Sequence, residues 1–391
     1  MSERQDDLKV IVVGGAGAMG RWAVRNIVKL GSASTLTIAD IDLPRAERFS
    51  AEVGAPCVAR QLDATDPSAL RAAFSGHDVV LNTMGPFATF AGPILEAALD
   101  SDCHYLDIDD DWESTLEAFE LDAKARERGL HVVIGLGGSP GVTNLCAALA
   151  ARSLDTVEDI LTGWKLSGAV AEEDPNYPTG SASAALEHWL IQCSGTIRVW
   201  QGGATVDVRP VEERPFHFPG IGDVTAYTMG HPEPLTLPRT FPDLINSVNL
   251  QSGPAWLFDH VRSVAAEFDA GEISLADGAQ KMTEPTRPEG DFPRDPLPIE
   301  WAIATGLKDG RRTSIAAYPN KFPPGRMGGN TGVPLAIGLE LLRRGLMRDV
   351  GVHAPESVID VDAFFELLAP LTDPSYASAA DLLVVSTHEH L

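Results

Sequence analysis

The chain has 391 residues, with 30 Lys plus Arg against 55 Asp plus Glu, a formal net charge of −25. This length predicts two or three domains, and 44% hydrophobic with 22% charged residues is globular composition that excludes chain-wide disorder. The acidity argues against nucleic acid and anionic lipid as partners, because both need clustered Lys and Arg.

Val10-Ile11-Val12-Val13 is a buried-strand run ending in glycines, and helical spacing follows over Arg21 to Leu30. Leu36 to Ala39 reads as a second strand. Pro44 to Val53 reads as a helix with Pro44 in its first turn. Pro56 to Leu62 leads to the end of a third strand at Asp63, and Asp66 is placed to cap the next helix. Asp78 to Asn82 is a fourth strand, Gly92 to Leu99 a helix, and His104 to Asp107 a fifth strand. Ser114 to Arg128 reads as one long helix stopped by Gly129, before a sixth strand from His131 to Gly135. This alternation predicts a parallel sheet covered on both faces, a Rossmann-type α/β domain over residues 1–145.

After Ala150 the pattern becomes strand-rich: Ile160 to Leu166, Ile197 to Trp200, Thr205 to Val211 and Val224 to Thr228, with one helix from Ser181 to Gln192. These predict a mainly antiparallel sheet in a second, α+β domain. Pro285, Pro288, Pro293, Pro296 and Pro298 mark a loop. Ile299–Thr305 and Ser314–Tyr318, joined through Lys308-Asp309-Gly310, read as a hairpin. Val333 to Arg344 and Asp362 to Leu368 read as helices.

The cysteines Cys57, Cys103, Cys146 and Cys193 are widely spaced, so neither a disulfide framework nor a metal site is expected. Met1 to Lys9 is polar and acidic, and no window reaches about 18 consecutive apolar residues. The expectation is a cytoplasmic protein without a membrane span.

Gly15-Ala16-Gly17-Ala18-Met19-Gly20 is a G-x-G-x-x-G run lying after a strand and opening a helix, the context a dinucleotide-binding loop requires. Gly15 is assigned the tight turn, Gly17 the close approach to a pyrophosphate, and Gly20 the packing of helix on strand. The pyrophosphate then meets the amides around Ala18 and Met19 at the helix N-terminus. Asp40 ends the second strand 20 residues after Gly20, where a carboxylate accepts bonds from ribose hydroxyls and repels a 2′-phosphate. Asp42 adds to that repulsion and Arg45 offsets it in part, so NAD is favoured over NADP. Asp63 is placed to line the adenine pocket or to cap its own turn.

Ligands of an open α/β sheet lie across the carboxyl ends of its strands. Asn82-Thr83-Met84-Gly85 is therefore assigned to the cofactor ring. Asp107 to Asp111 carries four carboxylates in five residues. They form either a solvated loop with helix caps or a site in which Asp109 or Asp110 acts as base or orients an amine.

Several segments resemble the saccharopine dehydrogenase-like family, which includes lysine 6-dehydrogenase, saccharopine reductase and carboxynorspermidine dehydrogenase. They are the glycine loop, Asp78 to Asn82 running into Gly85-Pro86-Phe87, Tyr105-Leu106-Asp107, and Ser139 to Asn144. The tail adds Thr331-Gly332-Val333-Pro334, Leu342 to Gly345, Gly351 to Glu356 and Phe364-Phe365. The resemblance implies an inserted substrate and dimerisation domain over 146–330, helices over 331–391 returning to the first domain, and a homodimer. It implies NAD(P)-linked oxidation of an amine or amino acid, or reduction of the imine. Its carboxylate-bearing substrates imply a cationic anchor. Arg239 is the first candidate, with a surface salt bridge as the alternative. Lys321 and Arg326 precede a glycine-rich loop holding Asn330 and Thr331, which leads into a helix N-terminus read as a second carboxylate site. His231 is a candidate proton-transfer group, with a solvent-exposed turn histidine as the alternative. A non-enzymatic dinucleotide sensor and a homospermidine-synthase-type transfer without net redox are the other readings.

Overall fold

The computed structural model describes residues 7–168, 174, 176–177, 184–285, 289 and 294–390. Residues 1–6, the start of the helix expected from Ser181, and Pro288 and Pro293 of the expected loop lie outside them. The chain forms two compact units. The first combines Met1–Leu145, Ala171–Tyr177 and Lys321–Leu382, and the second combines Cys146–Val170, Pro178–Asn320 and Leu383–Leu391. No helix among the described residues is long and apolar enough to cross a membrane.

The strands are β1 Lys9–Val13, β2 Thr35–Asp40, β3 Cys57–Gln61, β4 Val79–Asn82, β5 His104–Asp107, β6 His131–Val133, β7 Thr156–Lys165 and β8 Ile197–Gln201. They continue with β9 Ala204–Val208, β10 Glu213–Phe218, β11 Gly222–Met229, β12 Asn246–Ser252, β13 Glu300–Lys308, β14 Arg311–Pro319, β15 Gly351–His353 and β16 Leu383–Glu389.

Among the described residues, the first unit holds a seven-stranded sheet in the order β15-β6-β5-β4-β1-β2-β3. Every pairing in it is parallel. This is the doubly wound arrangement that continuous apolar runs demand, since both faces must be covered. Val10, Ile11 and Val12 are fully buried accordingly. Local chemistry starts the helices: Asp42 accepts from the Arg45 amide, and Asp66 accepts from the amides of Ser68 and Ala69. Two helix boundaries differ from expectation. The helix expected at Gly92 starts at Phe87, where Asp111 Oδ2 accepts the Ala88 amide at 2.9 Å. The helix expected over Ser114 to Arg128 is two, Trp112–Phe119 and Asp122–Glu127, and Phe119 and Leu121 at the break pack on the apolar core.

Helix Arg326–Arg343 packs on helix Ala18–Leu30. This corrects the expected loop at Gly328 to Gly332, which is already helical. A Cβ at Gly328 would lie 2.6 Å from the Trp22 ring, and one at Gly332 would lie 2.4 Å from the Met19 carbonyl oxygen. The glycines serve close helix packing rather than a ligand-binding loop.

The second unit holds a mixed sheet in the order β10-β11-β12-β7-β13-β14-β16, with β8 pairing β12 and β9. β12 and β7 run parallel. β13 and β14 form a hairpin through Asp309 and Gly310, both at positive φ (51° and 75°). Residues 383–389, expected with the returning helices, instead add β16 along β14, because they offer alternating strand residues to an open edge.

The register sorts the sheet's two faces. Leu161, Val248 and Ile303 stand in one row, and Leu250 and Trp301 flank Gly163 in the next. This face is apolar, and Val248, Leu250, Trp301 and Ile303 are buried in one core. On the other face Thr162 stands between Asn249 and Ala302, and Trp164 between Gln251 and Glu300. All of these are buried too, although most are polar.

Candidate functional site

Gly14, just ahead of the six-residue run, takes the left-handed turn at φ 71°, a role the sequence assigned to Gly15. Gly15 instead sits flat on the sheet, where a Cβ would come 3.0 Å from the Val12 carbonyl oxygen. The amides of Gly14 and Gly15 donate to Ala39 O at 2.9 and 3.2 Å, which ties the loop to the end of β2. Gly17 caps helix Ala18–Leu30 in extended backbone, with no side-chain cap and no acidic residue in the first turn. A cradle of bare backbone opening a helix N-terminus suits a pyrophosphate. A Cβ at Gly20 would strike this cradle, so the residues present fit a dinucleotide.

Two arginines hold the loop from below. Arg21 Nη1 and Arg45 Nε donate to Ala16 O at 2.9 and 3.1 Å. Arg21 is buried, and that burial lowers its pKa, opposed by Asp174 at 3.5 Å. Its guanidinium lies 4.5 Å from the ring centre of Tyr177. Arg21 was not legible as a site residue, because a helical arginine reads as surface until its partners are known.

Asp40 sits at the end of β2, and its Oδ1 accepts the Asp42 amide at 3.1 Å. Asp63 is exposed and accepts the Thr65 amide and hydroxyl at 2.9 and 2.6 Å, bonds that hold its carboxyl below the usual range. It thus caps its own turn. Asn82 is fully buried, donating to Tyr105 Oη at 3.1 Å and accepting the Met84 amide at 3.0 Å. Thr83 Oγ1 donates to Val13 O at 2.9 Å. Chain neighbours aside, the nearest atoms to a Cβ built on Gly85 are those of Phe87, at 3.9 to 4.0 Å. Asn82 to Gly85 therefore forms a braced turn at the carboxyl end of β4, beside the glycine loop.

The acidic loop is organised from within. Asp107 Oδ1 accepts the amides of Gly135 and Asp109 at 2.7 and 3.1 Å. Asp109 Oδ1 accepts the Asp111 amide at 2.9 Å, and its Oδ2 accepts Ser114 Oγ at 2.6 Å. Both carboxyls are 1% exposed. Burial pushes each up, and the charge of Asp107 pushes Asp109 further. Asp110 is the half-buried member beside them.

In the second unit, His231 is buried, not an exposed turn residue. Its Nδ1 lies 3.4 Å from Glu233 Oε2, and its ring centre lies 6.0 Å from that of Trp164. Glu233 Oε1 accepts Asn249 Nδ2 at 2.9 Å, and the same nitrogen is 3.0 Å from Thr162 Oγ1. The sequence missed Glu233, Asn249, Thr162, Trp164 and Glu300. The polar positions alternating along Asn249 to Gln251 were the available signal. Arg239 is exposed in the last turn of helix Glu233–Thr240.

Lys321 and Arg326 are exposed in the first unit, with Arg326 at φ 50°. Asn330 is 5% exposed, and its Oδ1 has no hydrogen-bond partner among the described residues. Thr331 packs over Gly137, where its Cγ2 would be 3.1 Å from an added Cβ. Asn330 and Thr331 lie inside helix Arg326–Arg343, beyond its N-terminal turn.

Residues 10–133 match the saccharopine dehydrogenase NADP binding domain family. Carboxyaminopropylagmatine dehydrogenase of Synechocystis sp. is 23% identical over 94% of this chain and 96% of its own length. Carboxynorspermidine synthase of Vibrio alginolyticus is 24% identical over 79% of this chain and 80% of its own. Among solved structures, apo saccharopine dehydrogenase (L-Glu forming) from Saccharomyces cerevisiae shares the fold at a TM-score of 0.59 and 16% identity. That alignment covers 97% of this chain and 100% of the yeast protein. Over residues 10–133, which hold the glycine loop, the chain resembles a nicotinamide-dinucleotide-binding domain of the saccharopine dehydrogenase type, and over its length it is similar to the two relatives named above.

Proposed function

We propose that this protein is an NAD-linked oxidoreductase acting on the C–N bond of a small amine or amino acid. The observation that carries the dinucleotide half is the cradle of Gly14 to Gly20, where a Cβ added at Gly15 or Gly17 would lie 3.0 Å from a backbone carbonyl oxygen and one at Gly20 would lie 2.4 Å from one. The names of the two relatives, one a dehydrogenase and both of carboxylated amines, support the C–N half. The bound dinucleotide supplies or accepts the hydride. Asp40 selects NAD, although the matched family is named for NADP, because a carboxylate at the end of β2 receives ribose hydroxyls and repels a 2′-phosphate.

The chain's own residues divide the remaining work. Asn82 to Gly85 braces the turn beside the cofactor ring. Asp109 positions the acidic loop, so that Asp110 presents a carboxylate at its open edge. The buried His231–Glu233 pair handles the amine proton. The proposed anchor for a substrate carboxylate is Arg239 in the second unit or, in the first unit, Lys321 and Arg326 with Asn330 and Thr331. The proposed assembly is a homodimer, which light scattering at twice 41.7 kDa would support.

The test is a screen of amines and amino acids with NAD and NADP, followed by reduced-nicotinamide absorbance. Reduction of NAD by an amine supports the proposal. Dinucleotide binding with no turnover on any amine points to a sensor. Amine exchange products without reduced cofactor point to a transferase.

A further inference from the structure

The polar face of the second unit's sheet includes buried polar atoms that have no hydrogen-bond partner among the described residues: Ser247 Oγ, and the pair Glu300 Oε2 and Trp164 Nε1. Glu300 starts β13 and Trp164 is its registered partner on β7, so their side chains leave the sheet on the same side. Glu300 is 5% exposed and Trp164 9%. Glu300 Oε2 and Trp164 Nε1 have no hydrogen-bond partner among the described residues. One is an acceptor and the other a donor. Unpaired buried polar groups of this kind are rare and call for a specific explanation.

The surroundings show what is missing. Gln251, the registered neighbour of Trp164 on β12, is satisfied, accepting Trp189 Nε1 at 2.9 Å. Asn249 Nδ2 donates to both Thr162 Oγ1 and Glu233 Oε1. Among the described residues, no Lys or Arg is bonded to Glu300. A purely structural carboxylate at this depth would be paired. Burial alone pushes Glu300 up to about 8. Its carboxyl is therefore largely neutral near pH 7 and ready to ionise against a cation. Among the described residues, other titratable groups on or against this face are Cys146, His231, Glu233, Tyr227 and Cys193, whose Sγ accepts Gln251 Nε2 at 3.3 Å. Cys146 is pushed well up by its own burial and further by Glu300. Tyr227, the registered neighbour of Gln251, is raised by burial.

Resting on the oxidoreductase reading above, we propose that Glu300 receives the ammonium end of the substrate, while the Trp164 indole N–H donates to an acceptor atom beside it. On binding, the Glu300 carboxyl loses its proton to solvent and its carboxylate pairs with the incoming ammonium, so charge balances inside the site. Glu300 is thus a specificity residue for a cationic amine over a neutral alcohol of the same shape.

The experiment is calorimetric titration of the full chain with L-lysine, 1,4-diaminobutane and neutral 1,4-butanediol, for the parent, Glu300→Gln and Trp164→Phe. The parent is expected to bind at least one cationic probe and not the diol. Glu300→Gln should weaken the cationic probe by about tenfold or more. Its dinucleotide affinity should stay at the parent value, which shows the chain is folded. Trp164→Phe should weaken L-lysine, which carries a carboxylate acceptor, more than 1,4-diaminobutane. Equal affinity of parent and Glu300→Gln for the cationic probe, or no binding of either cationic probe by the parent, overturns the assignment. Glu300-dependent amine binding with no nicotinamide turnover leaves this assignment standing and removes the oxidoreductase reading instead.

Discussion

A Cβ on Gly20 would lie 2.4 Å from the carbonyl oxygen of Gly14. The turn that opens the dinucleotide cradle and the helix that forms its floor are therefore in backbone contact. Gly20→Ala forces the two apart. We expect a loss of about 1–3 kcal/mol from overpacking and weaker binding of both NAD and NADP. Thermal unfolding and fluorescence titration with NADH measure these. An alanine variant with parental stability and affinity would mean the loop relaxes freely and is not a rigid cradle.

Asp40 tests the choice of cofactor. Asp40→Ala removes the carboxylate at the end of β2 and leaves the loop's hydrogen bonds to Ala39 untouched. NAD affinity should fall by about tenfold, the worth of a hydrogen bond to a charged group. NADP affinity should rise or hold, so the ratio moves toward NADP. Titration of both dinucleotides reads the ratio directly, and an unchanged ratio removes Asp40 from the site.

Glu340 links the helix behind the loop to its surroundings. Its carboxylate receives Arg343 through two nitrogens, each at 2.8 Å, Ser32 Oγ at 2.7 Å and Arg344 Nε at 2.6 Å. Burial alone would raise its pKa, but these bonds prevail and hold it at about 2. A folded value below the unfolded one stabilises above the unfolded value, and the effect is lost as pH falls through the folded one. Glu340→Gln should thus cost about 3 kcal/mol at pH 7, as for one partner of a buried pair. The gap to the parent should close between about pH 5 and pH 2. Denaturant unfolding across that range checks it, and a gap independent of pH would contradict the assignment.

The parallel sheet and the glycine loop were legible because both rest on short-range rules: continuous apolar strands, and glycines at fixed spacing before a helix. The second unit was less legible. β12 alternates polar Ser247, Asn249 and Gln251 with apolar Val248 and Leu250, and its polar face is buried, so the usual inside-outside pattern misleads. The same burial hid His231, which sequence places on a turn and tertiary packing sets beside Trp164 and Glu233. Gly328 to Gly332 has poor helix propensity, yet is helical because its bare backbone fits against Trp22 and Met19. Asp109 was visible as a carboxylate near the strand ends. Its role in bracing the loop came only with Ser114 and Asp111 in place.

The central claim is a hydride exchanged between a nicotinamide dinucleotide and the carbon of a C–N bond. The most direct measurement is the absorbance of reduced nicotinamide on mixing the full chain with NAD and each member of an amine and amino-acid panel. Product analysis for the matching carbonyl or imine accompanies it. Stoichiometric appearance of NADH and the oxidised amine with at least one member is the predicted result. NAD binding without NADH from any member, or in the reverse direction no NADH consumed with the corresponding carbonyls and amines, would contradict it.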